Sequence, residues 1–350
     1  MSLRSPQGGR PGRQALLPRA ADRMRKVTII TEGSVSLGLG HVSRCLSLAR
    51  QLRSSADVRF VTSSQADVTA RIQSAGFEVI ATDSTYRDAF RPLTKPDVVV
   101  IDKLSVDEAL ASWIRNDLKA RLVIFGNTSP ANRHANVVVN AIIGGNFRNR
   151  RRLDADSGTL YLEGPRFVVL RDEFYEADSR YRYTANLKRV LLLFGGSDPA
   201  NLTCRATRSL LASERPLELT ACVGALFQHL DELERLRASA SESGRSLHIV
   251  RDSAEVSRLM LGADFVVTSP GNVLFETFAL GVPSLAFFQN ASQEMFSGFP
   301  MAHAQAELDR LESLMFAVYG DYRGFRATVD ALEVGRGRNE IADALLEAAA

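Results

Sequence analysis

Apolar positions in this chain form short continuous runs that alternate with stretches of helical periodicity. Runs rich in β-branched residues are typical of parallel strands whose two faces are both covered. The stretch 43–54 places Cys45, Leu48, Ala49 and Leu52 on one helical stripe. This β-α alternation predicts an α/β domain with a doubly wound sheet. The predicted strands of the first half are 27–31, 57–62, 77–81, 97–101, 121–125 and 136–143.

A polar and aromatic stretch near residues 174–187 interrupts this alternation, which then starts again. We predict a disordered basic tail at 1–24, a first domain at 25–174, a linker at 175–187 and a second domain at 188–350. Ligands of such sheets bind at the carboxyl ends of the strands, so two facing domains would share one ligand in a cleft. The predicted strands of the second half are 189–194, 217–223, 247–250, 264–268, 283–288 and 315–320.

Composition narrows the class of protein. The 350 residues are 45% apolar and 24% charged, which excludes a wholly disordered chain. The net charge is +3, and residues 1–23 carry five arginines against a single aspartate. The remainder is therefore near neutral, which argues against a nucleic-acid partner.

The expected compartment follows from the cysteines and the hydropathy pattern. Three cysteines without CxxC spacing predict a reducing compartment, and we expect a cytoplasmic protein. No run of 18 apolar residues occurs, so the sequence predicts no integral membrane segment. The head of the chain lacks a signal-peptide core, and Met24 is a plausible start.

The first predicted strand ends at a glycine-rich loop containing Gly33, Gly38 and Gly40, followed by His41. Such a loop lets backbone amides approach a phosphate at a helix N-terminus, although a simple tight turn explains the glycines as well. The dinucleotide fingerprint fails at Ser43, and the GK[ST] signature of a P-loop is absent. A helix N-terminus disfavours imidazolium, which would suit His41 to general base catalysis; the alternative is a capping or exposed histidine.

The second half opens with a similar turn. The strand 189–194 leads into Gly195, Gly196, Ser197 and Asp198, with a helix expected near Asn201. The small residues predict another phosphate-accessible turn. Asp198, just before a proline, is alternatively a helix cap.

A third element follows the strand 264–268. Gly271 and Asn272 precede a helix that carries Glu276 one turn in, on the same face as Asn272. The helix N-terminus can take a pyrophosphate, and the carboxylate can accept hydrogen bonds from ribose hydroxyls. The alternative is a helix with a surface glutamate.

Metal chemistry is not predicted. The five histidines show no HxH or HExxH spacing, and no DxD motif occurs. The cluster formed by Arg148, Arg150, Arg151 and Arg152 is expected on a solvated loop, with binding of acidic lipid or phosphate as the alternative.

Five motifs together resemble the PseG/SpsG family of UDP-sugar hydrolases and their MurG-like relatives. The segment 38–45 resembles GxGHxxRC, and 161–174 resembles a GPxYxxLRxEF stretch. The segment 194–199 reads FGGSDP; 260–276 resembles LMxxADxxI followed by GxTxxE; and 335–337 resembles part of DGxGaxRI. The motifs occur in the family's order between about Lys26 and Leu346.

The resemblance implies a GT-B fold, meaning two Rossmann-like domains facing a central cleft, with a UDP-sugar as substrate. It implies hydrolysis like that of UDP-2,4-diacetamido-2,4,6-trideoxy-altropyranose, with inversion, release of UDP, His41 as base, and neither metal nor cofactor. Candidate partners, through peripheral contact, are enzymes of polysaccharide assembly. The implied nucleotide-binding residues are Gly38, Gly40, Gly195, Gly196, Ser197, Gly271, Asn272 and Glu276. The candidate substrate-binding residues are Arg44, Asp198, Asn290 and Gln293.

The sequence departs from the family pattern mainly in the first domain. The family's Asp-x-Tyr becomes Asp102-Lys103-Leu104, its paired acids become Gly126-Asn127, and its threonine after Gly-Asn becomes Val273. Two alternatives to hydrolysis therefore stay open. One is an inverting glycosyltransferase, in which His41 activates an acceptor hydroxyl, and the other is a non-catalytic nucleotide-sugar binder.

Overall fold

A computed structural model describes residues 24–34, 39–63, 65–82, 86–91, 93–126, 128–142, 147–175 and 181–347. The predicted tail up to residue 23 lies outside these ranges, as do Gly38 and part of the predicted linker. The described residues form two mainly parallel sheets flanked by helices, which confirms the predicted architecture.

The first sheet has eight strands within the described residues, in the order β3-β2-β1-β4-β5-β6-β8-β7. Only β7 runs antiparallel to its neighbour. Its elements are β1 (Arg25–Thr31), α1 (Gly40–Leu52), β2 (Ala56–Ser63), α2 (Ala66–Ser74), β3 (Glu78–Thr82), α3 (Tyr86–Ala89), β4 (Val98–Asp102), α4 (Glu108–Asn116), β5 (Arg121–Phe125), β6 (Val137–Asn140), β7 (Arg150–Leu153) and β8 (Leu160–Glu163).

The second sheet has six parallel strands within the described residues, in the order β11-β10-β9-β12-β13-β14. Its elements are β9 (Arg189–Leu193), α5 (Leu202–Leu211), β10 (Glu218–Val223), α6 (Leu230–Glu242), β11 (Ser246–Arg251), α7 (Val256–Gly262), β12 (Phe265–Thr268), α8 (Asn272–Leu280), β13 (Ser284–Phe287), β14 (Ala302–His303), α9 (Leu311–Gly320), α10 (Tyr322–Ala331) and α11 (Arg338–Leu346).

The central strands are apolar on both faces because each face supports its own core. In β4, Val98 and Val100 pack into one cluster of buried side chains, whereas Val99 and Ile101 pack into another. Successive side chains of a strand point to opposite faces, so a continuous apolar run fits a sheet covered on both sides.

Side-chain packing joins the two sheets, in addition to the segment of chain that connects them. Helix α11 packs on the first sheet, where Ile341, Ala344 and Leu345 are buried, although it follows the second sheet in sequence. Ile142, which follows β6, is buried in the core of the second sheet. These contacts hold the carboxyl ends of the strands of both sheets around one cleft. The domain boundaries remain predictions.

The predicted strand at 315–320 is wrong, because this run lies in helix α9. Leu311, Met315 and Tyr319 are buried at a spacing of four residues, so the helical stripe decides the structure of a run that a short window cannot distinguish from a strand.

The predicted location of the arginine cluster in a loop is also wrong. Arg150, Arg151 and Arg152 lie in the edge strand β7, not in a loop. Arg150 and Arg152 form ion pairs with Glu163 on the adjacent β8. Charged side chains on an edge strand discourage pairing with another chain, which explains this composition without a ligand.

Candidate active site

A cavity of about 390 Å³ lies between the two sheets and is lined by residues of both. In each sheet the order of the parallel strands reverses at one point, between β1 and β4 and between β9 and β12. Ligands of doubly wound sheets bind at such points. Of the predicted site residues, Gly40, His41, Arg44, Gly195, Gly196, Ser197, Gly271, Asn272, Glu276, Asn290 and Gln293 line the cavity; Asp198 does not, and Gly38 lies outside the described residues.

His41 lies in the first turn of α1 and binds a carboxylate that the sequence reasoning missed. Its Nδ1 is 2.7 Å from Oδ1 of Asp102, the last residue of β4. Strands β1 and β4 are neighbours, and Thr31 lies beside Asp102, so the strand order brings this carboxylate under α1. The same Nδ1 is 3.2 Å from Nη2 of Arg44, a longer contact between two donors. We therefore assign the Nδ1 proton to the bond with Asp102, which leaves Nε2 as the acceptor.

Asp102 is completely buried and receives several donors. Arg44 donates from Nε to Oδ2 at 2.7 Å and from Nη2 to Oδ1 at 2.6 Å. Burial by itself would raise the pKa of Asp102, but Arg44 and then His41 hold it well below its usual range. The carboxylate therefore stays ionised and keeps the imidazole oriented, while Arg44 balances its charge.

Arg44 lines the cavity, and its guanidinium also pairs with Asp102. Its Nε and Nη2 both donate to Asp102, and its guanidinium lies 6.0 Å from the centre of the Phe125 ring. It therefore balances the charge of the carboxylate that orients His41, and its predicted contact with substrate stays a prediction. The signal for Asp102 in the sequence is an acid at the end of a buried strand, at the aspartate of the family's Asp-x-Tyr pattern.

Helix α8 directs its N-terminus into the cavity. Gly271 precedes it with φ of 143°, a conformation that L side chains rarely adopt, and no side chain caps the first turn. The first amides of a helix have no partner within it. Asn272 also reaches across the cleft, with Nδ2 at 3.5 Å from the carbonyl oxygen of Gly40. The end of α8 can therefore hold an anion against the first domain.

The predicted phosphate site at the N-terminus of α5 is not available in this form. Asp198 accepts hydrogen bonds from the amides of Leu202 at 2.9 Å and Thr203 at 2.8 Å. Burial raises the pKa of Asp198, and these amide bonds oppose the shift. Asp198 therefore caps α5, while Gly195, Gly196 and Ser197 line the cavity.

Replacing Asp198 with alanine is expected to lower the free energy of unfolding by about 1–2 kcal/mol, as for the loss of a helix cap. Asp198→Asn keeps one acceptor and should lose less. Urea unfolding measures both. Unchanged stability together with weakened nucleotide binding would return Asp198 to the ligand site.

Gln293 and Gln289 brace the loops that form the cavity. Gln293 donates from Nε2 to the carbonyl of Pro270 at 2.7 Å, and its Oε1 accepts from the amide of Gln289 at 2.7 Å. Gln289 donates to the carbonyl of Phe194 at 2.6 Å and to Ser269 at 2.9 Å. Gln293 therefore supports the turn before α8 while lining the cavity, and its predicted contact with substrate stays a prediction. Asn290 is exposed and accepts from Ser292.

Glu276 lines the cavity from α8 but is not a solitary carboxylate. Its side chain is buried, and both oxygens accept from Arg171, with Nε and Nη2 each at 2.8 Å. The surface-glutamate alternative is excluded by this burial. Burial raises the pKa of Glu276, and Arg171 opposes that shift.

The far end of the cavity is formed by loops that the sequence reasoning did not single out. Gly224, after β10, approaches Gly196 so closely that an added Cβ would lie 2.5 Å from its backbone. Asp252 and Ser253, after β11, complete this end. Gly224 directly follows a predicted strand, and Asp252 and Ser253 come shortly after another, which is the signal that the sequence offers.

Comparison with known proteins finds two relatives in sequence. No family model matches the chain. Protein MJ1062 of Methanocaldococcus jannaschii is 36% identical over 329 residues, covering 91% of this chain and 66% of that protein. The chain therefore spans just under two thirds of that relative. The spore coat polysaccharide biosynthesis protein SpsG of Bacillus subtilis is 24% identical over 270 residues, covering 75% of this chain and 77% of SpsG.

Solved structures share the fold at low sequence identity. MurG of Acinetobacter baumannii superposes with a TM-score of 0.61 at 14% identity, over 92% of this chain and 99% of MurG. Alr3699/HepE of Anabaena, in complex with UDP-glucose, gives 0.54 at 14% identity, over 93% and 96%. Together with the sequence similarity to SpsG, these matches show that the chain has a GT-B fold like that of MurG and HepE.

Proposed function

We propose that this protein is a nucleotide-sugar hydrolase that cleaves the anomeric C–O bond of a UDP-amino sugar with inversion. The observation that carries the proposal is the pairing of His41 with Asp102 at the wall of the cavity, opposite the N-terminus of α8. A base that is oriented by a buried carboxylate and a site for an anion are the two groups that this displacement needs.

In the proposed step, a water molecule attacks the anomeric carbon on the face opposite UDP. Nε2 of His41 takes the proton of that water, and the imidazolium is stabilised by Asp102. The bond between the anomeric carbon and the UDP oxygen breaks, and its electron pair leaves with UDP. The N-terminus of α8 stabilises the charge that develops on the diphosphate. UDP is a good leaving group, so no strong general acid and no metal ion is required.

Binding of the nucleotide is assigned mainly to the second sheet. The backbone of Gly195, Gly196 and Gly271 lines the cavity beside Asn272, and Glu276 lies one turn into α8. Glu276 keeps lone pairs beyond those that Arg171 uses, so it can accept from two ribose hydroxyls. HepE, which shares the fold, is solved with UDP-glucose, and that supports a UDP-linked sugar for this chain.

Replacing Glu276 with alanine is expected to weaken UDP binding by about 1.5–3 kcal/mol, the range for a hydrogen bond to a charged group. Calorimetry with UDP measures the change. Glu218→Ala, which removes an exposed carboxylate paired with Lys188 outside the cavity, serves as the control. Equal UDP affinity in Glu276→Ala and wild type would remove Glu276 from the nucleotide site.

The second candidate is transfer of the sugar to an acceptor hydroxyl, with His41 as the same base. The name of SpsG, a polysaccharide biosynthesis protein, favours this reading, as would peripheral contact with polysaccharide assembly enzymes. A non-catalytic binder is disfavoured, because it has no use for a histidine oriented by a buried carboxylate.

No helix in the described ranges is long and apolar enough to cross a membrane. The three cysteines are free and buried, and we propose a cytoplasmic reaction.

The deciding experiment measures UDP release from a panel of UDP-sugars with and without cell extract. Release without extract, with free sugar as the second product, supports hydrolysis. Release that requires extract supports transfer. Binding of UDP-sugars without release under either condition would contradict both enzymatic proposals.

A further inference from the structure

Arg171 connects the segment between the two sheets to the nucleotide half of the cavity. It belongs to the crossing segment, defined here as residues 164–175, which leads from the first sheet towards the second. Its guanidinium is the group that faces Glu276 on α8, and both side chains line the cavity. The two residues are 105 positions apart in sequence.

The geometry of this contact is that of a fixed pair. Nε and Nη2 of Arg171 each donate at 2.8 Å to separate oxygens of Glu276, which gives a planar two-point contact. The Glu276 side chain is only 3% exposed. A buried carboxylate without a cation takes up a proton or moves toward water, because desolvation disfavours its charge. Arg171 therefore decides both the charge and the direction of Glu276.

Arg171 is itself held in place by a third group. Its Nη1 lies 3.1 Å from Oε1 of Glu173, and Oε2 of Glu173 accepts from the amide of Ser257 at 3.1 Å. Ser257 lies at the start of α7, and the preceding Val256 lines the cavity. The guanidinium is thus clamped between two carboxylates that belong to the crossing segment and to α8.

We infer that Arg171 is a positioning residue for ribose recognition, which holds Glu276 ionised and aimed at the hydroxyls of the bound nucleotide. This inference rests on the proposed function, since it assigns a role within the same UDP site. It adds a residue from outside the second sheet to the determinants of nucleotide binding. A salt bridge with a merely structural role would contribute stability without affecting which ribose is accepted.

The test compares UDP with 2′,3′-dideoxy-UDP by calorimetry. The wild type is expected to bind UDP at least tenfold more tightly, because only UDP carries the hydroxyls that Glu276 accepts from. Arg171→Gln is expected to lose this discrimination and to bind both ligands about equally. Arg171→Lys, which keeps the charge but cannot engage both oxygens in one plane, should retain only part of the discrimination.

Arg166→Gln is the matched control. Arg166 lies in the same crossing segment and pairs with Glu333 and Glu340 at 3.0 and 2.6 Å, but it does not line the cavity. This variant should keep the wild-type ratio of the two affinities. A second comparison uses Glu276→Gln with and without Arg171→Gln. Because both changes act through one carboxylate, the combined variant should bind UDP within about twofold of Glu276→Gln alone.

The outcomes are distinguishable. Full discrimination in folded Arg171→Gln would overturn the inference and leave the UDP site intact. UDP binding by the wild type without discrimination would remove Glu276 from the ribose and overturn the inference as well. No UDP binding by the wild type would overturn the proposed function, and the inference with it. If Arg171→Gln does not fold, a wild-type ratio in Arg171→Lys overturns the inference.

Discussion

Replacing His41 with asparagine is expected to lower turnover by about 10²–10⁴-fold, the usual contribution of a general base. Asparagine retains a polar side chain of similar size and can still meet Asp102, but it has no nitrogen that takes up a proton at neutral pH. UDP affinity should barely change, because the nucleotide is assigned to the second sheet. Steady-state kinetics of UDP release and calorimetry with UDP measure the two quantities.

The chain offers a matched control for His41. His134 also carries an acidic neighbour, Glu108 at 3.2 Å, but it lies outside the cavity. His134→Asn should keep wild-type turnover. Wild-type turnover in a normally folded His41→Asn variant would contradict the mechanism. Loss of UDP binding in that variant, with the fold intact, would identify His41 as a phosphate ligand instead.

Replacing Asp102 with asparagine is expected to lower the free energy of unfolding by about 3–5 kcal/mol. The substitution leaves the Arg44 guanidinium without its carboxylate in a buried site, and breaking a buried ion pair from one side costs about that much. Turnover should fall as well, because asparagine does not fix the Nδ1 proton of His41. Urea unfolding monitored by circular dichroism measures the stability.

A double variant separates the effect of the ion pair on stability from the effect of Asp102 on turnover. Combining Asp102→Asn with Arg44→Met removes both charges and should recover part of the stability but none of the turnover. Stability unaffected by Asp102→Asn would show that the Arg44 charge does not depend on this carboxylate.

The loss of unfolding free energy in Asp102→Asn should also depend on pH in a defined direction. The pKa of Asp102 in the folded protein is held below its ordinary value, mainly because Arg44 outweighs the effect of burial. As pH falls, the unfolded chain therefore takes up this proton first, near pH 4. The stability that Asp102 contributes is complete above about pH 4 and decreases as pH falls toward the folded pKa. A difference between wild type and variant that grew with acidity would contradict this assignment.

The alternation of strands and helices, the glycine turns and the cavity-lining positions His41, Gly271 and Glu276 could be predicted from the sequence. These features depend on local physics, since the side-chain period of a strand, the stripe of a helix and the φ values of a turn are set by neighbouring residues. The same locality explains the error at 315–320. A six-residue apolar run is compatible with both a buried strand and a buried helix. Leu311, which completes the buried stripe of the helix, lies outside the run.

Only the tertiary structure decided what each polar side chain meets. Asp102 lies 61 residues from His41, and Arg171 lies 105 residues from Glu276. Their pairing follows from the order of strands and from the path of the crossing segment. A buried charge takes whichever partner the fold brings within hydrogen-bonding distance, and that distance is not encoded in the spacing of residues along the chain.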